Sequence, residues 1–237
     1  MITLVRKLAC LFALLIAVQP GLVAAQSAES FPTVHVDANT VRVQEKAEYL
    51  FVNGSFDRAF FIYRNELAPI GDKYSQYMVG YMYEMGKSVE RDLAKAAAWY
   101  RLAAERGTPE FVQEHDKLLA RLDAAERDRA DRWFAAMRSE VGDLAVLMKI
   151  VRQDYEKLRE RTGSRLSSDS SPISVIEMRQ PAGATSGNYY TRIEKRIEER
   201  LAYIVRHTKI EIVDLDVNEV DLDLIEEAVY THLKAGQ

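Results

Sequence analysis

Cysteine is almost missing from this 237-residue chain; the single one, Cys10, lies close to the start. Beyond it there is no thiol, which excludes disulfides and thiolate metal sites. A thiol-free chain suits an oxidising compartment. Long apolar runs are missing too. The longest, Leu8 to Val18, is far short of the roughly twenty residues that span a bilayer. Basic charge is not in excess: 32 Lys and Arg stand against 36 Asp and Glu, for a net charge of −4. Basic stretches are interleaved with acids, so nothing draws the chain to nucleic acid or anionic lipid. There is no HExxH pair, no Gly-x-Ser-x-Gly elbow and no glycine-rich phosphate loop. His35, His115, His207 and His232 are not spaced as ligand pairs on a helix face. Asp214, Asp216, Glu219, Asp221 and Asp223 cluster, but they lack the central glycine and closing glutamate of a calcium loop. A solvated turn at a helix start is expected there. Carboxylates are plentiful, yet no pair stands out for hydrolysis. No catalytic set, metal or cofactor is expected.

What is present begins with a leader. Arg6 and Lys7 precede the apolar run, Pro20 and Gly21 follow it, and small residues end at Ala25. That order is a secretory signal peptide with cleavage expected between Ala25 and Gln26. Cys10 precedes most of the apolar run, which argues against a lipid-modified cysteine. The mature form would hold 30 basic and 36 acidic residues, a charge of −6. It is expected in the periplasm or secreted, with no integral membrane span.

Next comes periodicity. Ala59 and Ala96 are 37 residues apart, as are Tyr63 and Tyr100, while Gly71 and Gly107 are 36 apart. Ala96, Tyr100, Ala103 and Gly107 share one helix face. Small residues there admit a neighbouring helix, the tyrosine fills the wider gap, and the glycine ends the helix. Pro109 then starts the next helix. The spacing predicts helices near 42–53 and 56–69, then 74–85 and 92–106. Phe111, Val112, Leu118, Leu119 and Leu122 mark a third, divergent pair, whose second helix opens on a capping box at Asp123–Glu126.

From Ser75 to Gly107 the chain resembles the Sel1-like, tetratricopeptide-related repeat family. The matching positions are Val79-Gly80, Tyr83, Gly86, Val89, Asp92, Lys95-Ala96, Trp99-Tyr100, Ala103-Ala104 and Gly107. Ser88 departs from the pattern, where the family usually has a second glycine. The resemblance implies an all-α fold, a short solenoid of helical hairpins, and a role in holding another protein rather than in catalysis.

The C-terminal half reads as more helix. Leu144, Leu147, Met148, Val151, Tyr155 and Leu158 stripe a helix over 143–161, with Gly142 as a bend after its predecessor. Residues 163–187 are rich in Ser, Pro and Gly and read as a linker. Ile193, Ile197, Leu201, Ile204 and Val205 stripe a helix over 188–207, with Arg200 on its polar face. Ile210 and Ile212 suggest a short extended stretch. Asn218 is a fair N-cap for a last helix with Val220, Leu224, Ala228 and Val229 inward. The expected organisation is therefore a signal peptide over 1–25, a lead segment over 26–41 and a repeat module over 42–138. A packing helix over 139–163, a linker over 164–187 and a C-terminal helical module over 188–237 follow.

One feature suggests a site. Tyr74, Tyr77 and Tyr81 fall on one side of the first helix of the second repeat, with Glu48 and Phe51 at comparable places in the first. In the resembled solenoids the first helix of each pair lines the concave surface. Tyrosine joins apolar area to a polar tip, which suits interfaces. Two readings stand: an aromatic strip for a protein partner, or a seam covered by the chain's own C-terminal helices. The whole chain reads as a non-enzymatic periplasmic adaptor. A structural subunit of an envelope complex is the second reading. An envelope hydrolase with repeats that position substrate is the third.

Overall fold

A computed structural model describes residues 31–32, 38–160, 189–208 and 220–235. The signal peptide with its Ala25–Gln26 junction, the 164–187 linker, the 209–213 stretch and Asn218 lie outside these residues.

The described residues are all-α, with no strand among them. The first pair is α1 (Ala38–Val52) and α2 (Phe56–Ile62), the second α3 (Lys73–Met85) and α4 (Leu93–Ala103). The third is α5 (Pro109–Leu119) and α6 (Ala124–Val141), followed by α7 (Asp143–Glu160), α8 (Tyr189–Thr208) and α9 (Leu222–Ala235). Helix α1 starts earlier than expected, because Asn39 and Thr40 lie inside the helix rather than capping it.

The uneven repeat spacing has a structural cause. After α2 the chain continues through a π turn at Tyr63–Leu67 and a 3-10 turn at Ala68–Ile70. A π turn absorbs one extra residue in a helix. That residue accounts for the step from 37 to 36 between Tyr63 and Gly71. Gly71 and Gly107 end their helices with φ of 81° and 69°. Asp72, Asp92 and Asp123 cap α3, α4 and α6, the last through a complete capping box.

The repeat module packs as expected from small residues. Ala59, Ala68, Ala96, Ala97, Ala98 and Ala103 are fully buried with Trp99 and Leu102. At Gly80 a Cβ would sit 2.6 Å from Tyr100 Cδ1 and 3.1 Å from the Ala96 carbonyl, so only glycine lets α3 lie on α4 this closely. Ser88 has φ 69°, a left-handed conformation that favours glycine, and its hydroxyl donates to Asp57 of α2.

Gly142 does more than bend a helix. It is extended, with φ −71° and ψ 160°, and it separates α6 from α7. A Cβ there would lie 2.5 Å from the Arg138 carbonyl oxygen. Helix α7 then turns its stripe onto α8 and α9: Leu147, Met148 and Val151 join Ile193, Ile197, Leu201, Ile204, Ile225 and Val229 in one core. Phe31 joins that core and meets Tyr203 edge-on at 5.4 Å.

Two expectations about helix faces are corrected. Arg200 is 4% exposed, not on a polar face, because Asp154 of α7 sits opposite and accepts from it at 2.7 Å. Leu224 is 64% exposed, since Leu222, Ile225, Val229 and Leu233 set the phase of α9. Asp221 accepts from the amides of Asp223 and Leu224 and caps α9.

The repeat module and the C-terminal helices are joined by buried charge. Lys73 Nζ donates to Gln76 Oε1, the Leu102 carbonyl and Glu105 Oε2 at 3.1, 2.7 and 2.8 Å. It also lies 3.1 Å from Asp143 at the start of α7. Arg106 forks onto the same Asp143, reaches the Gly71 carbonyl and stacks its guanidinium on Phe31. Two cations thus meet two anions where three segments converge.

Candidate functional site

The aromatic face is built from α1, α3 and α5, the first helix of each pair. Glu48 on α1 is half-buried and Tyr74 on α3 is 43% exposed. Glu48 Oε2 accepts two hydrogen bonds, from Tyr63 and Tyr74, both at 2.9 Å. Tyr74 leans on Tyr77 with centroids 6.4 Å apart. Tyr77 is stacked between Tyr100 at 5.2 Å and Phe111 of α5 at 5.5 Å. Tyr81 meets Phe51 edge-on at 6.0 Å, and Phe51 meets Phe56 at 5.4 Å. The five residues singled out in sequence therefore form two linked groups, Glu48–Tyr74–Tyr77 and Phe51–Tyr81.

The strip is neither wholly open nor wholly closed. The rings packed on Tyr77 and Tyr81 come from the repeat module itself. Tyr77 is a half-buried brace between α4 and α5, while Tyr74 is the more exposed ring of the strip. Val79 and Gly80 are buried in the stack, as the repeat pattern requires.

Sequence reading missed two partners. The repeat spacing marks Tyr63 as a packing residue, yet its hydroxyl donates to Glu48. In the next repeat Tyr100 donates to Glu84 Oε2 at 2.9 Å, and Arg121 pairs with the other oxygen at 2.6 Å. Glu48 and Glu84 are 36 residues apart, the repeat length, and that signal was available in the sequence. Burial and the adjacent carboxylates push these tyrosine hydroxyls up: Tyr74 to about 12, Tyr63 and Tyr100 further. They remain neutral donors across the physiological range.

Elsewhere, His115 lies 3.1 Å from Asp116, and His207 stacks on Tyr203. Among the described residues no cluster of three or more His, Cys, Asp or Glu is placed to hold a metal. No described helix is long and apolar enough to cross a membrane. A cleft of about 250 Å³ between α4, α5 and α6 is lined by Ala97, Arg101, His115, Leu119 and Asp131. Its charged rim is already paired, Arg101 to Asp131 at 2.8 Å.

No curated protein and no solved structure matches the chain. A family model described as Sel1 repeat matches residues 73–108, the stretch from α3 through α4 to Thr108, and the chain thus carries a Sel1-like repeat at the centre of its helical array.

Proposed function

We propose that the protein is an exported, non-enzymatic adaptor that holds a protein partner on the face formed by α1, α3 and α5. Sel1 repeats generally mediate protein–protein interaction. The observation that carries the reading is the half-exposed Tyr74 beside Glu48, on a strip whose other rings are braced by their neighbours. A rigid aromatic edge with a fixed polar tip loses little conformational freedom on binding. The leader-like first 25 residues favour a periplasmic or secreted location, and with it a role in envelope assembly, secretion, motility or the regulation of a membrane signalling protein.

The test is co-purification at native expression level from the envelope fraction, with the intact mass read on the recovered protein. The expected mass starts at Gln26. A defined partner should co-purify with wild type and be lost with Tyr74→Ala or Tyr81→Ala, both folded by circular dichroism. Tyr77→Ala is a poor choice, because it removes a brace. Retention of the partner by both variants would move the binding face elsewhere.

A further inference from the structure

The two repeats treat the same carboxylate differently. In each, a glutamate on the first helix accepts a 2.9 Å hydrogen bond from a tyrosine of the second segment: Glu48 from Tyr63, in the π turn that continues α2, and Glu84 from Tyr100 of α4. Glu84 also has a cation, because Arg121 just beyond α5 pairs with its second oxygen. Glu48 has none. Its second donor is the neutral hydroxyl of Tyr74, and no described lysine, arginine or histidine forms an ion pair with it. Glu48 Oε1 accepts nothing from any described residue, while its repeat counterpart, Glu84 Oε1, accepts from Arg121.

The surroundings deepen the asymmetry. Asp72 adds negative potential at Tyr63 and Tyr74, and Glu114 and Glu84 add it at Tyr77. The Tyr74 ring stands half-exposed beside the carboxylate. A carboxylate next to an aromatic face attracts a cation twice, by charge-assisted hydrogen bonding and through the ring quadrupole.

We propose that the Glu48–Tyr74 corner seats a cationic side chain, an arginine or a lysine, from the partner protein, which supplies to the first repeat what Arg121 supplies to the second. This rests on the adaptor reading above. It narrows the partner to a segment that carries a basic residue among apolar ones, since Tyr81 and Phe51 lie one step along the same face.

The experiment titrates the full-length mature chain with short Gly/Ser peptides that carry a tyrosine beside one central arginine, lysine or neutral citrulline, and follows backbone amide resonances. The arginine and lysine peptides should shift resonances around Glu48 and Tyr74 and bind about tenfold more tightly than the citrulline peptide. Glu48→Gln keeps both tyrosine hydrogen bonds and should abolish that preference, while Glu84→Gln should leave it intact. Equal binding of citrulline and arginine overturns the proposal without using any variant, so a misfolded Glu48→Gln protein cannot shield it. Shifts centred away from α1 and α3 overturn it as well. Concentration-dependent changes at the same resonances without peptide would make the occupant a second copy of this chain, which also overturns it. If the partner recovered from the envelope is lost with Tyr74→Ala but binds Glu48→Gln as well as wild type, the adaptor reading stands and the cation seat fails.

Discussion

Glu48 accepts from two tyrosines at once, and this makes the titration of Tyr74 a local probe of the face. Burial raises the Tyr74 hydroxyl to about 12, with the Glu48 hydrogen bond and charge adding to it. The ordinary value is about 10. A folded value above the unfolded one means that this contribution to stability is fully present below pH about 10. It is lost as pH rises through about 12. The tyrosinate absorbance lost on Tyr74→Phe should therefore belong to a transition at about pH 12, and Glu48→Gln should bring Tyr74 back toward 10. A Tyr74 that titrates at the ordinary value in wild type would mean the hydrogen bond is not made. Gly80→Ala tests close packing at the same scale. Tyr100 is held by Glu84 and stacked on Tyr77, so its ring cannot swing aside to admit a Cβ. Denaturant unfolding should show a loss of roughly 1–3 kcal/mol. The sequence placed Tyr74, Tyr77 and Tyr81 on one side of a helix, because helical period alone decides that. It did not reveal what each hydroxyl bonds to, since Tyr63 and Glu48 meet only once α1 and α2 are folded into a hairpin.

At the scale of elements, the helices of the repeat module were legible because caps and breakers repeat: Asp72, Asp92, Asp123, Gly71, Gly107 and Pro109 sit at their ends. The π turn was also written in the spacing, as one extra residue between Tyr63 and Gly71. Burial in the C-terminal helices was less legible. Periodicity puts Arg200 near a polar face, and only the partner helix decides otherwise. Burial by itself would raise the Asp154 carboxyl, but Lys157, Arg196 and Arg200 outweigh it and hold it below the usual carboxylate range. Ser88 offers a test of loop chemistry. Ser88→Ala and Ser88→Gly both lose the bond to Asp57, but only alanine keeps the steric penalty of φ 69°. The alanine variant should be less stable by about 1 kcal/mol, read as a lower unfolding midpoint at unchanged denaturant slope. Equal midpoints would show that the loop relaxes out of the left-handed conformation.

Across the whole molecule, the joint between the repeats and the C-terminal helices matters most. Lys73, Glu105, Arg106 and Asp143 come from the start of α3, the 3-10 turn that follows α4 and the start of α7, and their charges are largely withdrawn from water. Burial pushes the Glu105 carboxyl up while Lys73 pulls it down. Removing one member strands the others. Lys73→Met should cost on the order of 3–5 kcal/mol. Hydrogen exchange should quicken first at the start of α7, whereas uniform quickening would mean the joint is not a separate element. This cluster was not legible in sequence, because Lys73 and Asp143 lie tens of residues from Glu105 and Arg106 and each looks like an ordinary surface charge. Fold class was legible; the manner in which two helical bodies are locked together was not.

Binding through the face of α1, α3 and α5 is the claim on which the function rests. A photo-reactive phenylalanine analogue placed in turn at positions 74, 81 and 61 in the producing cell tests it most directly, because position 61 is an exposed aromatic on α2. The account predicts one defined protein adduct at 74 and 81, with the captured peptide bearing a basic residue, and none at 61. Adducts at 61 alone, or none at 74 and 81, would contradict it.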